Sequence, residues 1–248
     1  MSQTPAEAAP PPGTDTDGYE LGGLSVLHVK IEGGPLTADR VAAVEGLCDR
    51  VEDAAAAGAA PAGVVLRLGL GPGEEPPPHD PAPVHLVNKW ERALRRLERV
   101  SAPTLAVARG ICSGVAVEAL LSCDHRIGAE DLRLRLPFTA GAPWPGMLVH
   151  RLANQLGVAR ARGLVLFGTE VPAERALHLG LVDEIAADLK AALEAQIKLI
   201  SGLSGTELAI RRRLLLEAAA TTFEDALGTH LAACDRLARR AAASAQAP

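Results

Sequence analysis

A single acidic residue lies one helical turn beyond a glycine-containing turn near the middle of the chain. The turn holds Gly110 and Gly114, a helix is predicted to open near Val115, and Glu118 follows among apolar neighbours. The first N–H groups of a helix have no partner within the helix and carry the positive end of its dipole. The backbone N–H groups of Gly114 and Val115 are therefore candidate donors to a ligand oxygen. An oxyanion site beside a carboxylate in apolar surroundings can stabilise and protonate an enolate.

Glu118 is the candidate catalytic residue of this arrangement. The alternative interpretation is a surface glutamate near a helix N-terminus, which the dipole would stabilise by ~0.3–1 kcal/mol. The apolar residues around Glu118 favour the catalytic interpretation, because an unpaired buried carboxylate is costly. Burial should raise the pKa of Glu118, so that it could act as an acid as well as a base.

Composition excludes several classes of protein. The 248 residues carry a net charge of −5 and show no basic excess, so no nucleic-acid partner is expected. Four cysteines are widely separated in apolar contexts, which predicts reduced, buried thiols and neither a metal site nor a disulfide scaffold. These are Cys48, Cys112, Cys123 and Cys234. We expect a cytoplasmic protein with no membrane partner, because neither a leader pattern nor a bilayer-length apolar run occurs.

The elements that must position Glu118 alternate between strands and helices. Strands are predicted over 24–31, 64–68 and 104–108, and amphipathic helices over 38–57 and 84–100 lie between them. Crossovers of this length join parallel strands, with the helices outside the sheet.

Shorter elements follow Glu118. Strands are predicted over 125–129, 132–136 and 181–185, irregular chain over 138–144, and helices over 145–157, 158–167 and 172–179. The chain from Ala186 onward is predicted to be helical, with breaks near Ser201-Gly202 and Thr221-Thr222. We expect a disordered tail over 1–20, a core over 21–186 and a helical region over 187–248.

The order of these motifs resembles the crotonase (enoyl-CoA hydratase/isomerase) superfamily. The segment from Ala106 to Asp124 is similar to the family's strand, turn, helix start, Glu and terminal Cys-Asp. Pro145-Gly146 is similar to its Pro-Gly helix start. The segment from Phe167 to Asp183 is similar to the family segment that ends in Gly-Leu-Val-Asp. The resemblance implies an α/β, ClpP/crotonase-like spiral of ββα units with a C-terminal helical region. It also implies a homotrimer or hexamer, a CoA thioester as substrate and no cofactor or metal.

The chain departs from the family pattern at the second acid and the first oxyanion loop. Phe138 stands where the family has a second catalytic carboxylate, so ordinary hydratase or isomerase activity does not follow from the resemblance. The segment from Gly69 to Pro78 replaces the Ala-Gly-x-Asp loop, and Gly71 or Gly73 is the candidate first donor there. Trp144, Phe138 and Leu136 are candidate residues of the substrate pocket, although simple core packing would also explain the two aromatic side chains.

A finer resemblance is to the crotonase homologues of dihydroxyphenylglycine biosynthesis. It rests on Lys89 to Arg99, Pro143 to Met147 and Thr222 to Asp235. It implies a polyketidyl-CoA substrate, dehydration and aromatisation to 3,5-dihydroxyphenylacetyl-CoA in antibiotic biosynthesis, and a type III polyketide synthase as partner. Two other hypotheses stay open: a largely non-catalytic subunit that stimulates the synthase, and an ordinary enoyl-CoA hydratase.

Two further patterns have competing interpretations. Ser113-Gly114 at the helix start is similar to the nucleophile position of Clp-type proteases, which require a histidine within reach; His125 is the nearest candidate. A small turn residue is the favoured interpretation of Ser113. The run from Arg211 to Arg213 could bind the phosphates of CoA, but a charge run on a helix is usually a solvated face.

Overall fold

The computed structural model describes residues 18–71, 73–76, 81–139, 141–144, 146–203 and 205–246. In chain order its first half consists of β1 (Gly18–Leu21), β2 (Leu24–Ile31), α1 (Ala38–Ala56), β3 (Gly63–Leu68), α2 (Val84–Leu97), β4 (Thr104–Ala108), β5 (Ile111–Ser113) and α3 (Val115–Leu121). The second half consists of β6 (His125–Gly128), β7 (Arg133–Arg135), β8 (Phe138–Thr139), β9 (Ala142–Pro143), α4 (Met147–Leu156), α5 (Val158–Phe167), β10 (Val171–Pro172), α6 (Ala173–Leu179), β11 (Glu184–Ile185), α7 (Leu189–Ile200), α8 (Thr206–Ala218) and α9 (Phe223–Gln246).

The main sheet has the strand order β1-β2-β3-β4-β6-β11. From β2 onward every neighbouring pair is parallel, which confirms the arrangement that the strand spacing predicts. The predicted tail is corrected at its end: Gly18 to Glu20 lie in β1, which pairs antiparallel with β2. The Tyr19 ring there packs edge-on against His28. The rest of that segment, residues 1–17, lies outside the described residues.

Both faces of the main sheet are covered, because alternate residues of its strands point to opposite sides. On β3, Val64 and Leu66 face a large core built with α1, α2 and α3, whereas Val65 faces a smaller core closed by Leu193 and Ile197 of α7. Sequence patterning predicts α1 closely: the Thr37 side chain caps it by accepting from the Arg40 N–H.

A second sheet, with the order β10-β7-β5, carries the turn that leads into α3. β5 lies where the sequence predicts only a turn, and it pairs parallel with β7. Gly110 makes the sharp reversal between β4 and β5, with a φ of +54°. A Cβ at this position would lie 2.4 Å from the Leu70 carbonyl oxygen, so only glycine fits. The reversal fixes where α3 begins.

Four predictions are corrected downstream of α3. Phe138 to Trp144 is not wholly irregular, because β8 and β9 form a short antiparallel pair. The helix expected from Pro145 begins at Met147, with Gly146 as N-cap, and Pro145 itself lies outside the described residues. The strand expected over 181–185 is only the two-residue β11, because Leu181 and Val182 are buried among helices. Three cysteines are buried, but Cys234 is exposed on α9.

The C-terminal helices break where the sequence predicts, near Ser201 and Thr222. Within the described part of the chain, no helix is both long and apolar enough to cross a membrane.

Candidate functional site

Glu118 is the one charged residue of α3, a seven-residue helix that is buried on all sides. Its exposed fraction is 8%, and its Oε2 accepts a hydrogen bond of 2.6 Å from the indole N–H of Trp90 on α2. The backbone N–H of Leu148, in the first turn of α4, also donates to the carboxylate. The acid therefore lies inside the molecule, between α2 and the N-terminus of α4.

Burial raises the pKa of Glu118 to about 7, as the sequence predicts. The negative charge of Glu91 contributes to this rise, whereas the Trp90 and Leu148 donors and the charge of Arg151 act in the opposite direction. A carboxyl group with a pKa near neutrality can both accept and donate a proton at physiological pH.

A buried ionic cluster lies next to Glu118, between α2 and α4. Nη1 of Arg151 is 2.7 Å from Oε2 of Glu91, and Nε of Arg151 is 3.6 Å from Oε1 of Glu98. Glu98 also accepts a 2.9 Å hydrogen bond from Arg95. Burial raises the pKa of Glu91 despite its pairing with Arg151. Glu91 is thus a second, largely buried carboxylate that acts on Glu118 through its charge, but its own partner is Arg151.

The start of α3 places the candidate backbone donors. Gly114 has a φ of +54° and its carbonyl oxygen accepts from the N–H groups of Val117 and Glu118. Val115 is the first helical residue after this cap, so its N–H is one of those without an intrahelical acceptor. The helix start matches the predicted position, and the donor role of Val115 and Gly114 stays a prediction.

The predicted first oxyanion loop lines a groove, and Glu118 is not among the residues that line it. Gly71 and Gly73 line a groove of about 410 Å³ with Glu74, Glu75, Gly110, Ile111, Asp131, Arg133 and Arg135. The Gly71 N–H is already engaged, since it donates to Oε2 of Glu74 at 2.7 Å. Arg135 pairs with Glu75 at 2.9 Å and with Glu170, so charged side chains tie the loop to β7. A ligand oxygen would have to displace Glu74 to reach the Gly71 donor.

The structure separates the three predicted pocket residues. Trp144 lies near Glu118: a Cβ on Gly146 would be 3.0 Å from the Trp144 ring and 3.3 Å from Oε1 of Glu118. The Phe138 ring, 44% exposed, packs against Gly168 at the end of α5. Leu136 is part of the main core. Of the three, only Trp144 is placed beside Glu118 by these contacts.

The serine-protease alternative fails on topology. His125 pairs with Leu105 near the amino end of β4, whereas Ser113 follows the carboxyl end of that strand. The Ser113 hydroxyl instead packs against Gly33, beyond the carboxyl end of β2. Nδ1 of His125 lies 3.6 Å from an Asp183 carboxylate oxygen, at the opposite end of the sheet.

The arginine run on α8 is not a uniform solvated face. Arg212 is buried, and its Nε and Nη2 lie 2.6 and 2.5 Å from the two carboxylate oxygens of Asp124. It also donates to the carbonyl oxygens of Val100 and Ala102. Arg212 therefore anchors α8 to the core. Arg213 instead pairs with Glu217, one turn along the same helix.

Trp90, Glu91 and Arg151 are the residues that the sequence analysis missed. Trp90 falls on the apolar side of the amphipathic helix predicted over 84–100, where a tryptophan that only fills the core and one that donates to an acid have the same spacing. Arg151 carried a usable signal, because it lies on the buried face of α4 with Leu148 and Leu152. A buried cation on an apolar face requires an anionic partner. Among the described residues no group of His, Cys, Asp and Glu side chains could hold a metal ion.

Comparison with known proteins decides the family. The family model for enoyl-CoA hydratase/isomerase matches residues 84–247. A protein of Amycolatopsis orientalis named enoyl-CoA-hydratase is 44% identical over 221 residues, which cover 88% of this chain and 98% of that protein. The chain belongs to the enoyl-CoA hydratase/isomerase family. The family members of known structure can therefore be compared with its fold.

Solved structures of the enoyl-CoA hydratase/isomerase family confirm the predicted α/β crotonase fold. An enoyl-CoA hydratase from Bacillus anthracis superposes with a TM-score of 0.71 at 21% identity, covering 85% of this chain and 86% of its own. An enoyl-CoA hydratase from Mycobacterium smegmatis gives a TM-score of 0.72 at 18% identity, covering 88% of each chain. At these identities the likeness concerns the fold, so the reaction must be argued from the site.

Proposed function

We propose that this chain binds a polyketidyl-CoA or acyl-CoA thioester and that Glu118 moves protons while the bound chain is dehydrated and aromatised. The product would be 3,5-dihydroxyphenylacetyl-CoA, as the resemblance to the crotonase homologues of dihydroxyphenylglycine biosynthesis implies. The observation that carries this proposal is a buried carboxyl group whose pKa is raised to about 7, beside the start of α3.

The chemistry of a poly-β-keto thioester suits a single acid of this kind. Its CH2 groups lie between two carbonyls, so that one base suffices to form the enolate. The Val115 N–H would stabilise this enolate, together with the N–H of Gly73 or, once the ligand has displaced Glu74, that of Gly71. An intramolecular aldol addition first closes the ring and turns one ketone into a hydroxyl group. Glu118 would then take a proton from the neighbouring ring carbon and deliver it to that hydroxyl as it departs. Each turnover would then release one water and leave one new double bond.

Hydration of a simple enoyl-CoA makes different demands. Two carboxylates position and deprotonate the attacking water, and position 138 offers a phenylalanine ring packed against Gly168. Glu91, a largely buried carboxylate near Glu118, is paired with Arg151 at 2.7 Å. We therefore expect negligible hydration of crotonyl-CoA, although the Amycolatopsis relative is named enoyl-CoA-hydratase.

A specific observation favours a second candidate, an auxiliary subunit that binds and stimulates a type III polyketide synthase. The Gly71 N–H is occupied by Glu74, and the Glu118 carboxylate already accepts from Trp90 and Leu148. A protein without its own chemistry could retain such satisfied groups.

The deciding experiment compares Glu118→Gln with the wild type in a reconstituted assay containing the synthase and malonyl-CoA. If Glu118 transfers protons, the rate of 3,5-dihydroxyphenylacetyl-CoA formation falls by about 100-fold or more. Glu174→Gln, which changes an exposed carboxylate on α6, is the matched control and leaves the rate unchanged. An unchanged rate in Glu118→Gln, with the synthase still bound in a pull-down, supports the auxiliary subunit instead. Rapid hydration of crotonyl-CoA by the wild type would support the ordinary hydratase.

We also propose that the chain forms a homotrimer, as the family resemblance implies. Large apolar side chains on α8 and α9 support this, because they are exposed in the isolated chain.

A further inference from the structure

We infer that Trp90 is a positioning residue for Glu118: its indole N–H fixes the Glu118 carboxylate and sets which oxygen is available for proton transfer. This inference rests on the proposed role of Glu118. It concerns a residue of α2, an element that the sequence motifs around Glu118 do not include.

The two side chains are held rigidly with respect to one another. Trp90 is 1% exposed and is packed into the main core with Ala93, Leu94 and Leu97 of the same helix. Its Nε1 lies 2.6 Å from Oε2 of Glu118, on a helix whose seven residues are all buried. A close-packed core leaves neither side chain room to change rotamer. The hydrogen bond is therefore a fixed feature of the site.

The chemistry of the indole makes the contact directional. Tryptophan Nε1–H is a donor only, so Oε2 must be an acceptor whether Glu118 is ionised or protonated. The proton of the neutral acid is then directed to Oε1. This oxygen faces Gly146, where a Cβ would lie 3.3 Å away, and Trp144 lies on the other side of the same position. Proton exchange through Oε1 would therefore occur on the side of Gly146 and Trp144.

Charged groups from two helices also face Glu118. Glu91 of α2 disfavours the carboxylate form, whereas Arg151 of α4 favours it and is itself bound to Glu91 and Glu98. The Leu148 N–H of α4 favours the carboxylate as well. The N–H of Trp90 is the one donor of this set that a substitution can remove without changing a charge or the backbone.

The first test observes the hydrogen bond directly by nitrogen-15 NMR of the indole groups. The chain contains two tryptophans, so Trp144→Phe assigns the Trp90 resonance. We expect the Trp90 Nε1–H signal to move with pH with a midpoint near 7, and this movement to vanish in Glu118→Gln. A Trp90 signal that does not change between pH 5 and pH 9 would overturn the inference, and this measurement needs no variant of Trp90.

The second test replaces Trp90 by Phe, which removes the N–H and keeps an aromatic ring. The titration midpoint of the carbon-13-labelled Glu118 carboxyl should rise by about one pH unit, because a charge-assisted hydrogen bond to the carboxylate is lost. In the reconstituted assay, the ratio of the Trp90→Phe rate to the wild-type rate should be lowest near pH 6 and should recover toward pH 9.

Leu94→Ala is the matched control, since it removes packing from the same buried face of α2 without touching Glu118. It should lower stability and leave the Glu118 midpoint in place. If Trp90→Phe also leaves the midpoint in place, the positioning role is wrong even where Glu118→Gln is inactive. If the Trp90 signal follows Glu118 but Glu118→Gln keeps full activity, the hydrogen bond stands and the proposed function fails.

Discussion

At the scale of single residues, opposing contributions decide the pKa of Glu118. Removal from water and the charge of Glu91 favour the neutral acid, and two N–H donors with Arg151 favour the carboxylate. The first pair dominates, so the carboxyl group holds its proton to about pH 7 in the folded chain. Because folding disfavours the ionised form of this carboxyl group, ionisation of Glu118 at high pH lowers the stability of the folded chain.

This linkage predicts how Glu118→Gln changes stability with pH. Between the ordinary pKa of 4.5 and the folded value of about 7, the folded chain holds a proton that the unfolded chain has lost. The contribution of Glu118 to stability therefore falls as pH rises through this window and levels off above it. Relative to the wild type, Glu118→Gln should gain about 2–3 kcal/mol of stability between pH 5 and pH 8.

Urea unfolding at the two pH values measures this difference, in which pH-independent effects of the substitution cancel. Glu174→Gln, at an exposed position on α6, should show no comparable change between pH 5 and pH 8. Equal effects of Glu118→Gln at both values would contradict a raised pKa.

At the scale of elements, Arg212 joins the C-terminal helices to the parallel sheet. Asp124 accepts from Arg212 and also from the backbone N–H of Thr104 at the start of β4. One carboxylate therefore ties α8 to the amino end of an interior strand of the sheet. On the other side, Glu207 of α8 lies 3.0 and 2.9 Å from Arg236 and Arg240 of α9. The position of α9 thus depends on α8, and that of α8 on Arg212.

Arg212→Ala should destabilise the chain by about 1–3 kcal/mol, because it removes a buried guanidinium group and leaves the carbonyl oxygens of Val100 and Ala102 without this donor. Arg213→Ala is the matched control: it removes an exposed pair within α8 and should change stability by less than about 0.5 kcal/mol. Urea unfolding measures both, and limited proteolysis should show earlier cleavage of the C-terminal helices in Arg212→Ala. Similar free energies of unfolding for the two variants would contradict the anchoring role.

At the scale of the whole molecule, α9 carries an apolar stripe that the described part of the chain leaves exposed. Phe223, Leu227 and Leu231 recur every fourth residue, so they share one face of the helix. Phe223 is 75% exposed and Leu231 58% exposed. Apolar rows of this kind on a surface helix mark an interaction site, which is why we assign them to the interface of the proposed homotrimer.

Light scattering on a size-exclusion column tests the trimer. Three chains of 25.7 kDa predict a mass of about 77 kDa for the wild type. Leu231→Asp places a charge in the stripe and should shift the mass toward that of one chain, since burying an unpaired charge is costly. Ala232→Asp puts the same charge on an exposed position turned away from the stripe and should leave the mass unchanged. A wild-type mass of one chain would contradict the trimer, and twice the trimer mass would indicate a hexamer.

Local pattern was sufficient for much of the fold. The apolar spacing of α1 and α2, and the positions of β2, β3 and β4, follow from residues close together in the chain. Short pieces such as β5, β8 and β9 could not be found this way, because two or three residues carry too little pattern and only their pairing with another strand makes them strands. The Glu118 motif and the rise in its pKa were likewise accessible from the apolar residues beside it.

What only the tertiary structure decided is which distant groups meet. The sequence placed Glu118 on a buried helix, but its contact with Trp90 joins residues 28 positions apart, and the pair of Arg212 with Asp124 joins residues 88 apart. Nothing in local spacing distinguishes an indole that fills the core from one that donates to an acid. The sequence alone determined that a carboxyl group is buried at the start of α3. The packing of α2 and α4 around it determined which donors and charges act on that group, because charges and hydrogen bonds are only weakly screened in a low-dielectric interior.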